Sequence, residues 1–173
     1  MSKLIKNGRV ITNEWKTLTL DDEVAPPRAK LPVGPVLVPL SVWRARRSEL
    51  IHREYEHGWP LGVWLTADED VEVIARDIDD FTVIALILNE SAADRSLAHA
   101  RRLREHYGYT GELRAVGVVS SDDLPRLQLA GFDAFAIAED TSSSDTRSRS
   151  GLTGLFDFGA TILHGSPLAG ATA

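Results

Sequence analysis

A mostly parallel α/β sheet with an N-terminal β-hairpin is the fold that this sequence predicts, on three observations. Between Pro35 and Ala138 short apolar runs alternate with stretches of helical spacing, the pattern of βα repetition. One run, Phe81 to Leu88 (FTVIALIL), is nearly all apolar, which suits a central parallel strand covered on both faces. Near the start, Asn7-Gly8 separates Leu4-Ile5 from Val10-Ile11, and that dipeptide favours the positive φ angles of a tight hairpin turn.

The remaining elements follow in order. Trp15 to Leu20 is a candidate third strand, and Asp21 to Pro35, acidic and then proline-rich, reads as a connector. Val36 to Pro39 is a short strand. Ser41 is expected to cap a helix that runs to about His57 and stops at Gly58 and Pro60. Leu61 to Leu65 is the next strand. Thr66-Ala67-Asp68-Glu69 fits a capping box, the Thr oxygen accepting a backbone N–H while Glu69 reaches back. Val71, Ile74, Ala75 and Ile78 continue it at helical spacing. After the apolar strand, Ser91 is expected to cap a helix over about Ala92 to Tyr107, closed by Gly108 or Gly111. Leu113 to Val119 is a strand. Ser121, Asp122 and Asp123 open a helix that Gly131 stops, and Asp133 to Ala138 is the last strand. Thr141 to Ser150 has no apolar residue and reads as a flexible linker. A short helix on Leu152, Leu155 and Phe156 is expected beyond it, before a frayed end.

The expected plan is a hairpin unit (1–20), a connector (21–35), an α/β core (36–139), a linker (140–150), and a C-terminal helix and tail (151–173). Parallel strands imply right-handed crossovers. Two closures stay open: a doubly wound sheet with helices on both faces, or a half-barrel-like sheet with helices on one. In both, a ligand is expected at the C-terminal strand ends, near Thr66, Asn89 and Ser120.

Composition excludes several functions. The 173 residues carry a net charge of −6, which disfavours nucleic acid and anionic membrane as partners. Cysteine is absent. Disulfides, thiolate nucleophiles, zinc–thiolate sites and cysteine-held iron–sulfur clusters are thereby removed, and no cofactor is expected. The opening MSKLIKNGRV lacks the apolar core of a secretory signal, and no stretch approaches the roughly 20 apolar residues of a membrane span. A cytoplasmic location is the expectation.

Candidate chemistry concentrates in the arginine-rich helix and the strand after it. Arg95, His99, Arg102 and His106 share one helix face, either as an anion or acidic-partner surface or as a solvated outer face. Arg104 falls among Ala93, Leu97, Ala100, Leu103 and Tyr107 on the apolar face, with Arg101 at its edge. An arginine placed there must snorkel out or find an anionic or carbonyl partner. The alternatives are an anion clamp or a structural pair with Glu112 or another carboxylate, and Arg114 is able to join either network. His52 and Glu56 have metal-pair spacing, but no third ligand and no H-E-x-x-H motif accompany them, so no metal is expected. Asp77, Asp79, Asp80, Asp122 and Asp123 are expected to be exposed. No G-x-G-x-x-G, Walker loop or G-x-S-x-G is present. Trp15, Trp43, Trp59 and Trp64 fit core and interface packing better than base stacking.

Ala100-Arg101-x-Leu103-Arg104, then Tyr109-x-Gly111, then Glu112-Leu113-Arg114-Ala115-Val116-Gly117, with Gly131-Phe132-Asp133-Ala134-Phe135 later, resembles a bacterial family, domain of unknown function 934. The resemblance covers about Val83 to Phe135. Members are labelled as oxidoreductases of sulfite reduction, a label that follows their usual genomic company, so it implies sulfite reductase as a partner and sulfur assimilation as the setting. The family's usual polar loop, resembling F-P-x-F-x-D-G-R-x-Y-S, is matched here only at Arg95. Ala93, Asp94, Leu97 and Ala98 stand at its Asp, Gly, Tyr and Ser positions. Leu129-Ala130 replaces an arginine–cysteine pair, and Val118 an aspartate. Three functions are therefore weighed: an accessory protein of sulfite reduction acting by protein contact, a small-molecule enzyme using an anion site of Arg95, Arg101, Arg104 and Arg114, and an inactive binding or scaffold module. The reductase itself is excluded, because no cysteine is present to hold its cluster or siroheme.

Overall fold

The computed structural model describes residues 3–21, 23–89, 92–117 and 121–137. Their strands form one sheet: β1 (Lys3–Lys6), β2 (Arg9–Thr12), β3 (Lys16–Thr17), β4 (Val36–Pro39), β5 (Leu61–Leu65), β6 (Val83–Leu88), β7 (Glu112–Gly117) and β8 (Ala134–Ile137). The spatial order is β2-β1-β8-β7-β6-β5-β4-β3. Strands β3 to β8 are mutually parallel and lie in sequence order. β1 joins β8 antiparallel and carries β2 as a hairpin.

That order decides the closure. A doubly wound sheet requires a reversal of strand order. Here each strand lies beside its predecessor, so right-handed crossovers put every connecting helix on the same face. The sheet is the curled, half-barrel form. The α-helices among the described residues are α1 (Leu40–His57), α2 (Ala93–Arg101), which continues as a wider π-helical turn over Arg102–His106, and α3 (Leu124–Leu129). Trp43, Leu50, Leu97, Ala100, Leu103 and Leu127 from these elements pack with Val38, Val63, Ile84, Leu86, Leu113, Ala115 and Phe135 of the sheet. The alternate strand positions, Leu37, Trp64, Val83, Ala85, Ile87, Val116, Ala134 and Ala136, form a second, smaller cluster with Leu4 and Trp15 on the inner face. The two-residue period of a strand sorts side chains between the two clusters. Gly62 opens the inner face to Trp15: a Cβ there would stand 2.6 Å from the Leu37 side chain and 3.2 Å from the Trp15 ring.

Several local expectations are corrected. Ser41 does not cap α1. The helix begins at Leu40 directly after the extended Pro39, with no side-chain cap. Only half of the capping box forms: the Glu69 carboxylate accepts from Thr66 N at 2.8 Å, but the Thr66 hydroxyl donates to that same carboxylate at 3.1 Å. The helical segment starts later, at Val71, and runs to Asp80 as a 3₁₀ helix; Asp70 caps it by accepting from Glu72 N at 2.9 Å. Val71, Ile74 and Ile78 are its buried positions. Phe81 precedes β6 and packs edge-on to Trp43, the ring centroids 4.7 Å apart. The expected linker (Thr141 to Ser150), residues 151–173, Ser91, Val118 and Ser120 lie outside the described residues. Among the described residues no helix is long and apolar enough to cross a membrane.

Candidate functional site

Arg104 projects from the π-helical turn, where Tyr107 N donates to Arg102 O at 3.1 Å and the chain reverses at Gly108. Its Nε donates to Gly131 O (2.9 Å), and one terminal nitrogen donates to Tyr109 O (2.6 Å) and Gly111 O (2.9 Å). The other terminal nitrogen donates to the Asp133 carboxylate. That carboxylate also accepts from Leu113 N at 3.0 Å. One guanidinium therefore ties the end of α2 to the turns that enter β7 and β8. Gly131 makes the approach possible. Its φ is +103°, and a Cβ would lie 2.5 Å from the Arg104 side chain. The Tyr109 hydroxyl donates within reach of Phe81 O (3.1 Å) and Glu112 O (3.2 Å), and burial pushes its phenol well above the usual range.

The expected Arg104–Glu112 pair does not form; Asp133 takes that place. Strand alternation explains the change. Leu113 faces the helices, so its neighbour Glu112 is turned to the inner face, away from α2. There the Glu112 carboxylate accepts from Arg114 at 2.8 Å and 2.6 Å and from Lys6 Nζ at 2.6 Å. Arg114 also donates to Asn13 Oδ1 at 3.1 Å and lies 6.0 Å from the Trp15 ring centroid. Its side chain is only 2% exposed. Burial pushes the Glu112 carboxyl upward, but the Arg114 and Lys6 cations outweigh it and hold the group below its ordinary value.

The basic stripe of α2 forms surface ion pairs with the segment that follows β5. Arg95 pairs with Asp68, and Arg102 with Asp70 at 3.2 Å and Glu72 at 3.1 Å. The His99 ring nitrogen lies 3.2 Å from Ala67 O. His106 packs edge-on to Tyr107, and Arg101 is exposed. The arginines proposed as one cluster are thus separated: Arg104 on the helix face with Asp133, Arg114 with Glu112 on the inner face, and Arg95 beside the segment after β5. Asp77 and Asp80, expected as exposed carboxylates, flank Arg47 at 2.5 Å and 3.8 Å. The exposed His52 Nε2 lies 3.1 Å from the Glu56 carboxylate, and no group of three His, Asp or Glu able to hold a metal occurs among the described residues.

The profile of a family described as bacterial protein of unknown function (DUF934) matches residues 62–155, more than half of the chain. The chain belongs to DUF934. No curated protein matches it. The residues that carried the resemblance, Arg104, Tyr109, Gly111, Glu112, Arg114, Gly131 and Asp133, are the ones that make the two networks. The DUF934 signature in this chain therefore includes a bracket at the N-terminal ends of β7 and β8. Lys6 and Asn13 complete the inner network from positions 106 and 101 residues away from their partners, and no local sequence signal points to them. Asp133 did carry a signal, since it ends the Gly131-Phe132-Asp133 triplet.

Proposed function

We propose that this DUF934 chain is an accessory protein of assimilatory sulfite reduction that works by contact with a protein, the sulfite reductase, and not by turning over a small molecule. The observation that carries the contact reading is the engagement of the arginines. Arg104 and Arg114 each hold a carboxylate within the fold and Arg95 pairs with Asp68 at the surface, so these three cations do not converge on one space where a small anion would bind. A parallel sheet of this kind presents its chemistry at the C-terminal strand ends. The family's polar loop would lie there, after β6, and here it keeps Arg95 alone of its motif. The pathway rests on the label attached to the family, and the contact rests on the closed arginine networks.

The test is binding of the purified protein to its host's assimilatory sulfite reductase, by pull-down and then calorimetry. A saturable, stoichiometric complex is the expected result. Absence of a complex at tens of micromolar protein refutes the partner. Saturable sulfite or sulfate binding that Arg95→Ala abolishes would refute the contact reading in favour of an anion site.

A further inference from the structure

We propose that the free edge of β2 is a docking strand for an extended, acidic segment of a partner protein. The proposal rests on the contact reading above and gives that contact a place. β2 is the terminal strand of the sheet and, among the described residues, pairs with β1 alone. Asn7 and Gly8, with φ of 50° and 73°, make a two-residue turn, so Lys6 and Arg9 are the pair that closes the hairpin, and bonding alternates from there. The backbone groups of Arg9 and Ile11 turn toward β1, and those of Val10 and Thr12 turn outward. Such an edge is a template for another strand. β2 has neither proline nor bulge to block it. All four of its residues are exposed, Val10 by 63% and Ile11 by 40%.

Charge selects the occupant. Residues 3–12 hold Lys3, Lys6 and Arg9 and no carboxylate, in a chain of net charge −6. Lys6 is held by Glu112, while Arg9 is exposed at the edge. The fitting segment carries an acid opposite Arg9 and apolar residues opposite Val10 and Ile11. A second copy fits less well, since it brings another cationic hairpin to the same edge.

The experiment uses the full chain, labelled with ¹⁵N, and the peptide acetyl-Asp-Thr-Val-Tyr-Glu-Asp-amide, beside a counterpart with lysine in place of each acid. The acidic peptide is expected to slow hydrogen exchange at the Val10 and Thr12 amides. The lysine counterpart should bind at least about ten-fold more weakly. Val10→Pro removes an outward N–H and leaves the β1 ladder intact, so it should abolish binding, and Arg9→Glu should weaken it by about ten-fold with the melting curve unchanged. Absence of protection at those two amides, or equal binding of the lysine peptide, overturns the proposal. So does self-association in sedimentation that Val10→Pro removes, which would make a second copy the occupant. If sulfite reductase binds wild type and Val10→Pro alike, the edge is refuted and the contact reading stands. If the reductase binds neither, that partner is refuted, and the peptide measurement decides the edge by itself.

Discussion

Replacing Arg104 with alanine should destabilise the protein by about 3 kcal/mol. The side chain makes four hydrogen bonds, three to the carbonyls of Tyr109, Gly111 and Gly131 and one to Asp133. Arg104 is 20% exposed and Asp133 39%, so water partly screens the ion pair and its share is at most about 1 kcal/mol. Each carbonyl that loses a charged donor adds about 1 kcal/mol net, less where water enters. Asp133 keeps its bond from Leu113 N and is not orphaned, which holds the total below the cost of stranding a fully buried charge. Urea unfolding measures this directly, with a lower midpoint and an unchanged slope expected. Arg104→Lys should recover less than half of the loss, because an ammonium does not reproduce the planar fork. A double-mutant cycle with Asp133→Asn should give a coupling of about 1 kcal/mol, and one with Glu112→Gln a coupling near zero. A loss under about 0.5 kcal/mol for Arg104→Ala, or the two couplings reversed, would show that this guanidinium does not tie the strand entries together.

Gly131→Ala should cost about 2 kcal/mol or more in the same assay, since the residue combines a φ of +103° with a Cβ that collides with Arg104. Glu112→Gln should cost about 3 kcal/mol by leaving the buried Arg114 without its counter-ion. It should also change the acid limb: the Glu112 carboxyl lies below its ordinary value when folded, so its stabilisation is present above the unfolded glutamate value and is lost as pH falls through the folded one. Urea midpoints of the variant should therefore fall less steeply in that acidic window than those of wild type. Tyr109→Phe should cost about 1 kcal/mol near neutral pH. The raised phenol pKa of the folded protein stabilises it below the unfolded tyrosine value, and wild type loses that share as pH climbs above about 10; the phenylalanine variant should lack this alkaline loss.

Much of the fold was legible because the strands are short and apolar. Leu61 to Leu65 matches β5 at both ends, and the nearly all-apolar stretch Phe81 to Leu88 contains β6, every residue of which is buried. The choice between closures was not legible. Strand order is set by which strands meet in space, and both arrangements use the same period-two pattern. Helix starts were misjudged at Ser41 and Thr66 because each hydroxyl sits near the right place without being the first extended residue before the turn. At the candidate site, the position of Arg104 on an apolar face left two outcomes, snorkelling or an anionic or carbonyl partner, and Arg104 meets three carbonyls and Asp133. The identity of the carboxylate depended on which face each neighbour of Leu113 takes, and a one-residue difference in a strand sends Glu112 inward while Asp133, from the next turn, reaches the helix side.

The two ends of the sheet carry different kinds of information. At the N-terminal ends of β7 and β8, Arg104 and Asp133 on the helix side and Arg114 and Glu112 on the inner side satisfy one another, with Gly131 shaped to admit the first arginine. Polar groups that are closed in this way stabilise and specify a fold, because leaving any one of them unpaired is costly. Their charges are directed at one another. At the C-terminal ends, where a parallel sheet delivers catalytic groups, the motif's Asp, Tyr and Ser positions hold the apolar Ala93, Leu97 and Ala98, while Asp94 and Arg95 between them are charged. The contact proposed for this chain places its role on the surface, where among the described residues β2 pairs with β1 alone, in a cationic hairpin of a chain with net charge −6.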